Sequence, residues 1–264
     1  MKSCFRLRFG CFVFALLVVL GLLSCTSEEE LYDNRKELLI YCGSTMTCAV
    51  EDAARLFEQR YPQVRIKVLH GGTELLRRCI QRNQVGDLYL PGVEESLNDC
   101  DQQGRILERH WIGCNRLVVM VPKGNPLHVP ADLSVLVNPR YRTALGKDQS
   151  GAIGVVTKQL LVERGLYDKA MNHASFYGNN ANDLVRCVRE GMVDVTLNWY
   201  GVALWEENSA KVDVLPLDAE DFPPYKLVIA LLNFSHYPQL AREFISLLES
   251  AEGQDIFRRY GLEK

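Results

Sequence analysis

Between residues 38 and 80 the chain carries the same local device twice: an apolar strand that feeds an amphipathic helix through a short turn of glycine and hydroxyl residues. The first copy reads Leu38-Leu39-Ile40-Tyr41, then Cys42-Gly43-Ser44-Thr45-Met46-Thr47, then a helix through residue 61. The second reads Val64-Arg65-Ile66-Lys67-Val68-Leu69, then His70-Gly71-Gly72-Thr73, then a helix over 74–83. Such a junction leaves backbone N–H groups without intrahelical acceptors at the end where the macrodipole places roughly half a positive charge. Two of these turns in one parallel sheet can face a common crevice, which suits an anion.

Helical and strand patterns alternate along the rest of the chain, as in a parallel α/β architecture. The helix that starts at Thr47 carries Val50, Ala53, Ala54, Phe57 and Tyr61 on one face, and Pro62 follows it. A short strand over 87–90 ends at Pro91-Gly92, a helix is expected over 94–102, and a strand over 115–122 leads into Lys123-Gly124-Asn125-Pro126. The device then recurs. A strand over 141–146 enters a turn at 147–154 and a helix over 155–165, and a strand over 174–177 enters a turn at 178–183 and a helix to 191. Strands are expected over 193–199, 212–217 and 227–232, and helices over 239–248 and 252–260. Four anion-competent turns in two α/β units describe a two-lobe clamp better than one dinucleotide-binding sheet. No G-x-G-x-x-G follows the first strand and there is no Walker lysine.

The N-terminus reads as a targeting segment. Lys2, Arg6 and Arg8 precede an apolar run over 12–23, which is short for a bilayer span. Leu22-Leu23-Ser24-Cys25 then matches a bacterial lipobox, so residues 1–24 are expected to be a lipoprotein signal peptide. Cys25 would carry the lipid, and residues 25–37, with Glu28-Glu29-Glu30, would form an acidic tether. Removing residues 1–24 takes away three positive charges and no negative one, so the net charge moves from −3 to −6. With no basic stripe, nucleic acid is not an expected partner. An anion would have to be held by local dipoles.

The 240 residues from Cys25 onward suffice for two lobes of ordinary size. Beyond Cys25 lie Cys42, Cys48, Cys79, Cys100, Cys114 and Cys187, at spacings that fit no zinc or redox motif. They are expected to be buried free thiols. No nucleophile elbow, zinc-protease helix or zinc-type cysteine pair is present, and His70 has no second histidine nearby, so neither an enzyme nor a metal centre is expected.

The chain resembles the type II periplasmic solute-binding proteins, and most of all their molybdate- and tungstate-binding branch. The resemblance covers nearly all of 38–264. It is carried by Ile40-Tyr41-Cys42-Gly43-Ser44-Thr45-Met46, Gly71-Gly72-Thr73, Val85-Gly86-Asp87-Leu88, Asn115-Arg116-Leu117-Val118 with Val121-Pro122-Lys123, Gly154 with Lys158-Gln159-Leu160, Gly191 with Asp194, and Arg259-Tyr260-Gly261. It implies an α/β fold of two lobes, each a mostly parallel mixed sheet flanked by helices. Lobe one would span 38–115 plus 218–264, lobe two 123–211, and two hinge crossings 116–122 and 212–217. It also implies a lipid-anchored, monomeric receptor of an ABC importer in the cell envelope, with a permease as partner and no cofactor.

By position, the resemblance implies that Ser44, Thr45 and Thr73 supply donors from lobe one. Ile153 in the Ala152-Ile153 turn, with Ala181 and Asn182, would supply them from lobe two. Family members place a tyrosine where this chain has Trp199, with Tyr200 next to it, and either could reach the ligand. Glu74 discriminates between ligands. An unprotonated dianion such as molybdate, tungstate or sulfate wants donors only, whereas protonated phosphate needs one acceptor. Facing the cleft, Glu74 would favour phosphate; facing outward, it would support the helix dipole. Ser44, Thr45 and Thr73 could also be plain helix caps. Phosphate or sulfate receptors, and a tethered sensor uncoupled from transport, are the alternatives.

Overall fold

The computed structural model describes residues 35–148 and 150–264. The expected signal segment 1–24, the lipidation site Cys25 and the tether up to residue 34 lie outside the described residues.

Two five-stranded mixed sheets form the frame, and they share one pattern. The first has the order β2 (Val64–Gly71), β1 (Lys36–Gly43), β3 (Leu88–Leu90), β10 (Tyr225–Leu232), β4 (Ile106–Asn115). The second has the order β7 (Phe176–Gly178), β6 (Thr143–Gly146), β8 (Val195–Trp199), β5 (Leu117–Pro122), β9 (Val212–Pro216). In each, three parallel strands are followed by two antiparallel steps. The first antiparallel strand in each sheet comes from chain that has just crossed from the other sheet.

The chain passes between the two sheets twice. Residues 117–122 and 212–216, expected as hinge, are paired strands of the second sheet. Their apolar residues are consumed by that sheet, and the chain passes between sheets at Arg116 and over 217–224. The strand β4 is also absent from the sequence expectation. It is an edge strand whose Glu108, Arg109 and His110 break the apolar alternation, as edge strands commonly do.

Ten helices are named here in chain order: α1 (Thr47–Arg60), α2 (Thr73–Asn83), α3 (Asn98–Gln102), α4 (Ala152–Glu163), α5 (Tyr167–His173), α6 (Ala181–Arg189), α7 (Tyr200–Ala203), α8 (Glu206–Ser209), α9 (Pro238–Glu249) and α10 (Ala251–Arg259). The helix expected over 94–102 is a 3-10 turn, Glu94–Leu97, running into α3. Short α5 was not expected.

β1 is the centre of the first parallel triad, and Leu38, Ile40 and Cys42 are fully buried, as a strand covered on both faces requires. On one face they meet Ala49, Val50, Ala53 and Phe57 of α1 with Phe244 and Phe257 of α9 and α10. On the other, Tyr41 and Tyr89 meet Leu76 and Ile80 of α2. A separate core joins β5, β6 and β8 to α4 and α6. Register then sets the turns. Gly43 pairs with Gly71 and Gly146 with Gly178, so the two strand–helix turns of each sheet leave side by side.

Asp87 fixes the first sheet's loops. Its buried carboxylate accepts from the Leu39 N–H at 2.8 Å and from the Ser235 hydroxyl at 2.5 Å.

Candidate functional site

All four turns converge on one cavity. Gly43, Ser44, Thr45, Gly71, Gly72 and Thr73 line it from the first sheet with Gly92, and Gly151, Ala152, Ile153, Asn180, Ala181 and Trp199 line it from the second. The space open to the centre of a water-sized sphere is ≈ 20 Å³. With the water radius added, that is room for a compact solute of roughly 3 Å radius.

The caps decide the chemistry. The residue before the first turn leading to α1 is Gly43, before α2 it is Gly72, and before α4 it is Gly151; no side chain caps any of the three. Ser44, Thr45 and Thr73 therefore do not act as N-caps. They stand at the first helical positions, where their N–H groups have no acceptor within the helix. Ser44 and Thr45 are buried, at 7% and 4% exposure, although both are polar.

The fourth turn differs. The Asn180 side chain accepts from the N–H of Asn182 at 2.9 Å and of Asp183 at 3.2 Å. The expected donor Asn182 is thus occupied by the cap and lies outside the cavity lining, at its mouth. Ala181, one residue earlier, lines the cavity, and as the first residue of α6 its N–H has no acceptor within the helix.

Trp199 and Tyr200 separate by the same one-residue logic. Trp199 ends β8, is 1% exposed and lines the cavity, with its ring edge-on to Tyr225 at 5.4 Å between centroids. Tyr200 begins α7, donates its N–H to the Arg116 carbonyl at 2.8 Å, and lies outside the cavity lining, against the crossing segments. A strand end followed by a helix start gives the two consecutive aromatic residues different directions.

No ionisable side chain lines the cavity among the described residues. Glu74 sits on the outer mouth, a space of ≈ 500 Å³ shared with His70, Arg78 and Asp183. Its carboxylate accepts from Arg77 Nε at 2.8 Å and Arg78 Nε at 2.6 Å. Partial desolvation raises its pKa, and the hydrogen bonds and charges of Arg78 and Arg77 outweigh that and hold it below the usual carboxylate range. The acid is therefore ionised, paired and turned from the cavity.

The six described cysteines are free, and Cys42, Cys100, Cys114 and Cys187 are buried while Cys48 and Cys79 are half-buried. Burial raises the Cys48 thiol to about 11, so its thiolate is scarce near neutrality. No group of three or more acidic, histidine or cysteine side chains could hold a metal among the described residues. No helix among them is long and apolar enough to cross a membrane. Sequence reasoning missed the glycine caps Gly72 and Gly151 and the cap Asn180. The signal was present in each case as a glycine or asparagine one residue before the helical pattern.

The profile of the family described as bacterial extracellular solute-binding protein matches residues 38–263. The chain belongs to this family. The Bacillus subtilis protein YvgL, named as an ABC transporter substrate-binding lipoprotein, is 23% identical over 259 residues, covering 96% of this chain and 97% of its own. The periplasmic molybdate-binding protein of Azotobacter vinelandii shares the fold, with a TM-score of 0.72 at 18% identity, over 86% of this chain and 99% of that one. The sulfate-binding protein SubI of Mycobacterium tuberculosis does so with a TM-score of 0.72 at 13% identity, over 86% of each chain. The two-lobe periplasmic binding fold is thereby shared with proteins that bind different solutes.

Proposed function

We propose that this protein is the lipid-anchored receptor of an ABC importer and captures a tetrahedral oxyanion, molybdate or tungstate, between its lobes. One observation carries the ligand class. Four helix N-termini, three capped only by glycine, converge on a cavity of ≈ 20 Å³ with no ionisable side chain in its lining. Such a site offers backbone and hydroxyl donors and positive dipole ends, and no carboxylate to repel a negative charge, so it suits a compact, fully ionised anion.

Ser44, Thr45 and Thr73 would donate from the first lobe, Ala152, Ile153 and Ala181 from the second, with the Trp199 indole at one wall. The ion binds to one lobe first, and the crossings at 116 and 217–224 let the other close on it. Closure removes water and completes the hydrogen bonds, so the ligand favours the closed population through its higher affinity for it. The closed monomer would then present its solute to a membrane permease. Lipid on Cys25, after removal of residues 1–24, would hold it at the membrane, a reading supported by the Bacillus relative, which is named a lipoprotein.

Sulfate is the second reading, since it needs the same cavity free of carboxylates and differs mainly in size. Phosphate has less support, because the nearby acids Glu74 and Asp183 stand at the mouth outside the cavity lining, Glu74 held there by two arginines. Thermal melting across solute classes tests the proposal. Tetrahedral oxyanions should raise the melting midpoint, and amino acids, sugars and ferric ion should not. A rise with one of those and none with any oxyanion refutes it.

A further inference from the structure

At two points on the cavity rim the first lobe touches the second through a glycine. Gly72 faces the carbonyl oxygens of Ser150 and Asn179; a Cβ added to it would overlap the Ser150 oxygen and stand 3.3 Å from that of Asn179. Gly92 faces Ala152; an added Cβ would come within 2.7 Å of the Ala152 Cβ, and the next neighbour, Asn115 Nδ2, is 3.9 Å away. Neither glycine is needed for its own turn on the evidence of its backbone. Gly72 has φ −72° and ψ 154°, extended values that alanine adopts freely, and Gly92 has no positive φ. What the missing side chains permit is the approach of the opposite lobe.

We propose that Gly72 and Gly92 are the closure stops of the clamp, and that contact through them fixes how large a solute the closed cavity holds. This rests on the reading of the cavity as an inter-lobe ligand site. At Gly72 the contact is with backbone, which cannot rotate aside as a side chain does. A methyl there would hold the lobes apart by about 1 Å, enough to break hydrogen bonds that need roughly 2.7–3.2 Å. The closed gap is therefore set by the protein, and a solute smaller than the gap loses contacts with one lobe. Selection by size follows from two positions that never need to touch the ligand.

The second stop offers a reciprocal test, because there the obstruction is one methyl group on each side. Gly92→Ala should weaken molybdate binding by about tenfold or more in calorimetry. Gly92→Ala combined with Ala152→Gly moves the methyl from one lobe to the other and should return the affinity to within about threefold of the parent. Gly72→Ala should weaken binding without rescue, shift the remaining preference toward the larger anion, and leave the ligand-free melting midpoint unchanged. Gly92→Ala or Gly72→Ala with parental affinity, or a double variant no better than Gly92→Ala, overturns the proposal. If the parent binds none of molybdate, tungstate, sulfate or phosphate, the ligand reading falls. The stops are then judged by small-angle scattering on protein purified with whatever solute it carries. A larger radius of gyration for Gly72→Ala than for the parent supports them, and equal radii overturn them.

Discussion

Replacing Ala181 by proline removes one backbone donor from the cavity and little else. Ala181 is the first residue of α6, the helical position at which proline is best tolerated, because its N–H has no intrahelical partner there. The residue before it, Asn180, has φ −157° and ψ 177°, in the extended region that a following proline requires. The Asn180 cap bonds go to Asn182 and Asp183 and survive the change. So does the hydrogen bond from Asn198 Nδ2 to the Ala181 carbonyl at 3.0 Å. What is lost is the N–H that lines the cavity, and a ring carbon takes its place. A hydrogen bond to a charged group contributes roughly 1.5–3 kcal/mol, so affinity should fall by about 10- to 150-fold. Calorimetric titration with molybdate reads the loss, and the melting midpoint of ligand-free protein checks that α6 still folds. An unchanged midpoint with affinity within about twofold of the parent would refute the reasoning, since the fourth turn would then give the ligand nothing.

Three further changes probe the surroundings. Glu74→Gln, at the mouth, should alter molybdate affinity by less than about threefold; a parental preference for phosphate that disappears in this variant would place Glu74 in the cavity. The Asp194 carboxyl is held below its usual range by its hydrogen bonds with Arg142, so this pair's stabilisation is present above the unfolded carboxylate pKa and is lost as pH falls through the lower folded one. Melting midpoints followed from pH 7 downward should therefore fall less steeply in Arg142→Met, and parallel curves would contradict the assignment. Asp87→Ala strands the half-buried Leu39 N–H and should cost about 1–3 kcal/mol in urea unfolding, while a loss under about 0.5 kcal/mol would show that the loop is held by other contacts.

The parts of this molecule that could be read from sequence are those where one residue pattern has one physical outcome. Leu38, Ile40 and Cys42 form an apolar run that only a covered strand accommodates, and Gly43-Ser44-Thr45 after it marks a helix start. The recurrence of that pattern around 146 and 178 led to two lobes. β4 escaped because Glu108, Arg109 and His110 satisfy an exposed edge and hide its period. At the cavity, the local pattern leaves neighbouring residues undecided. It marks the turn at 178–183, but a sequence does not say that Asn180 will cap two N–H groups and leave Ala181 uncapped. Trp199 and Tyr200 were both candidates for the same reason, and the end of β8 falls between them. The glycines at 72 and 92 were visible as turn residues, while the lobe opposite them is a tertiary fact that no local pattern contains.

The central claim is that a cavity between the lobes, rich in helix N-termini and free of carboxylates, holds an unprotonated tetrahedral anion. Calorimetric titration of residues 26–264 with molybdate, tungstate, sulfate and phosphate at neutral pH tests it most directly. The account predicts saturation at one anion per chain, tighter for molybdate or tungstate than for phosphate. No binding heat with any of the four, or binding of phosphate alone, would contradict it.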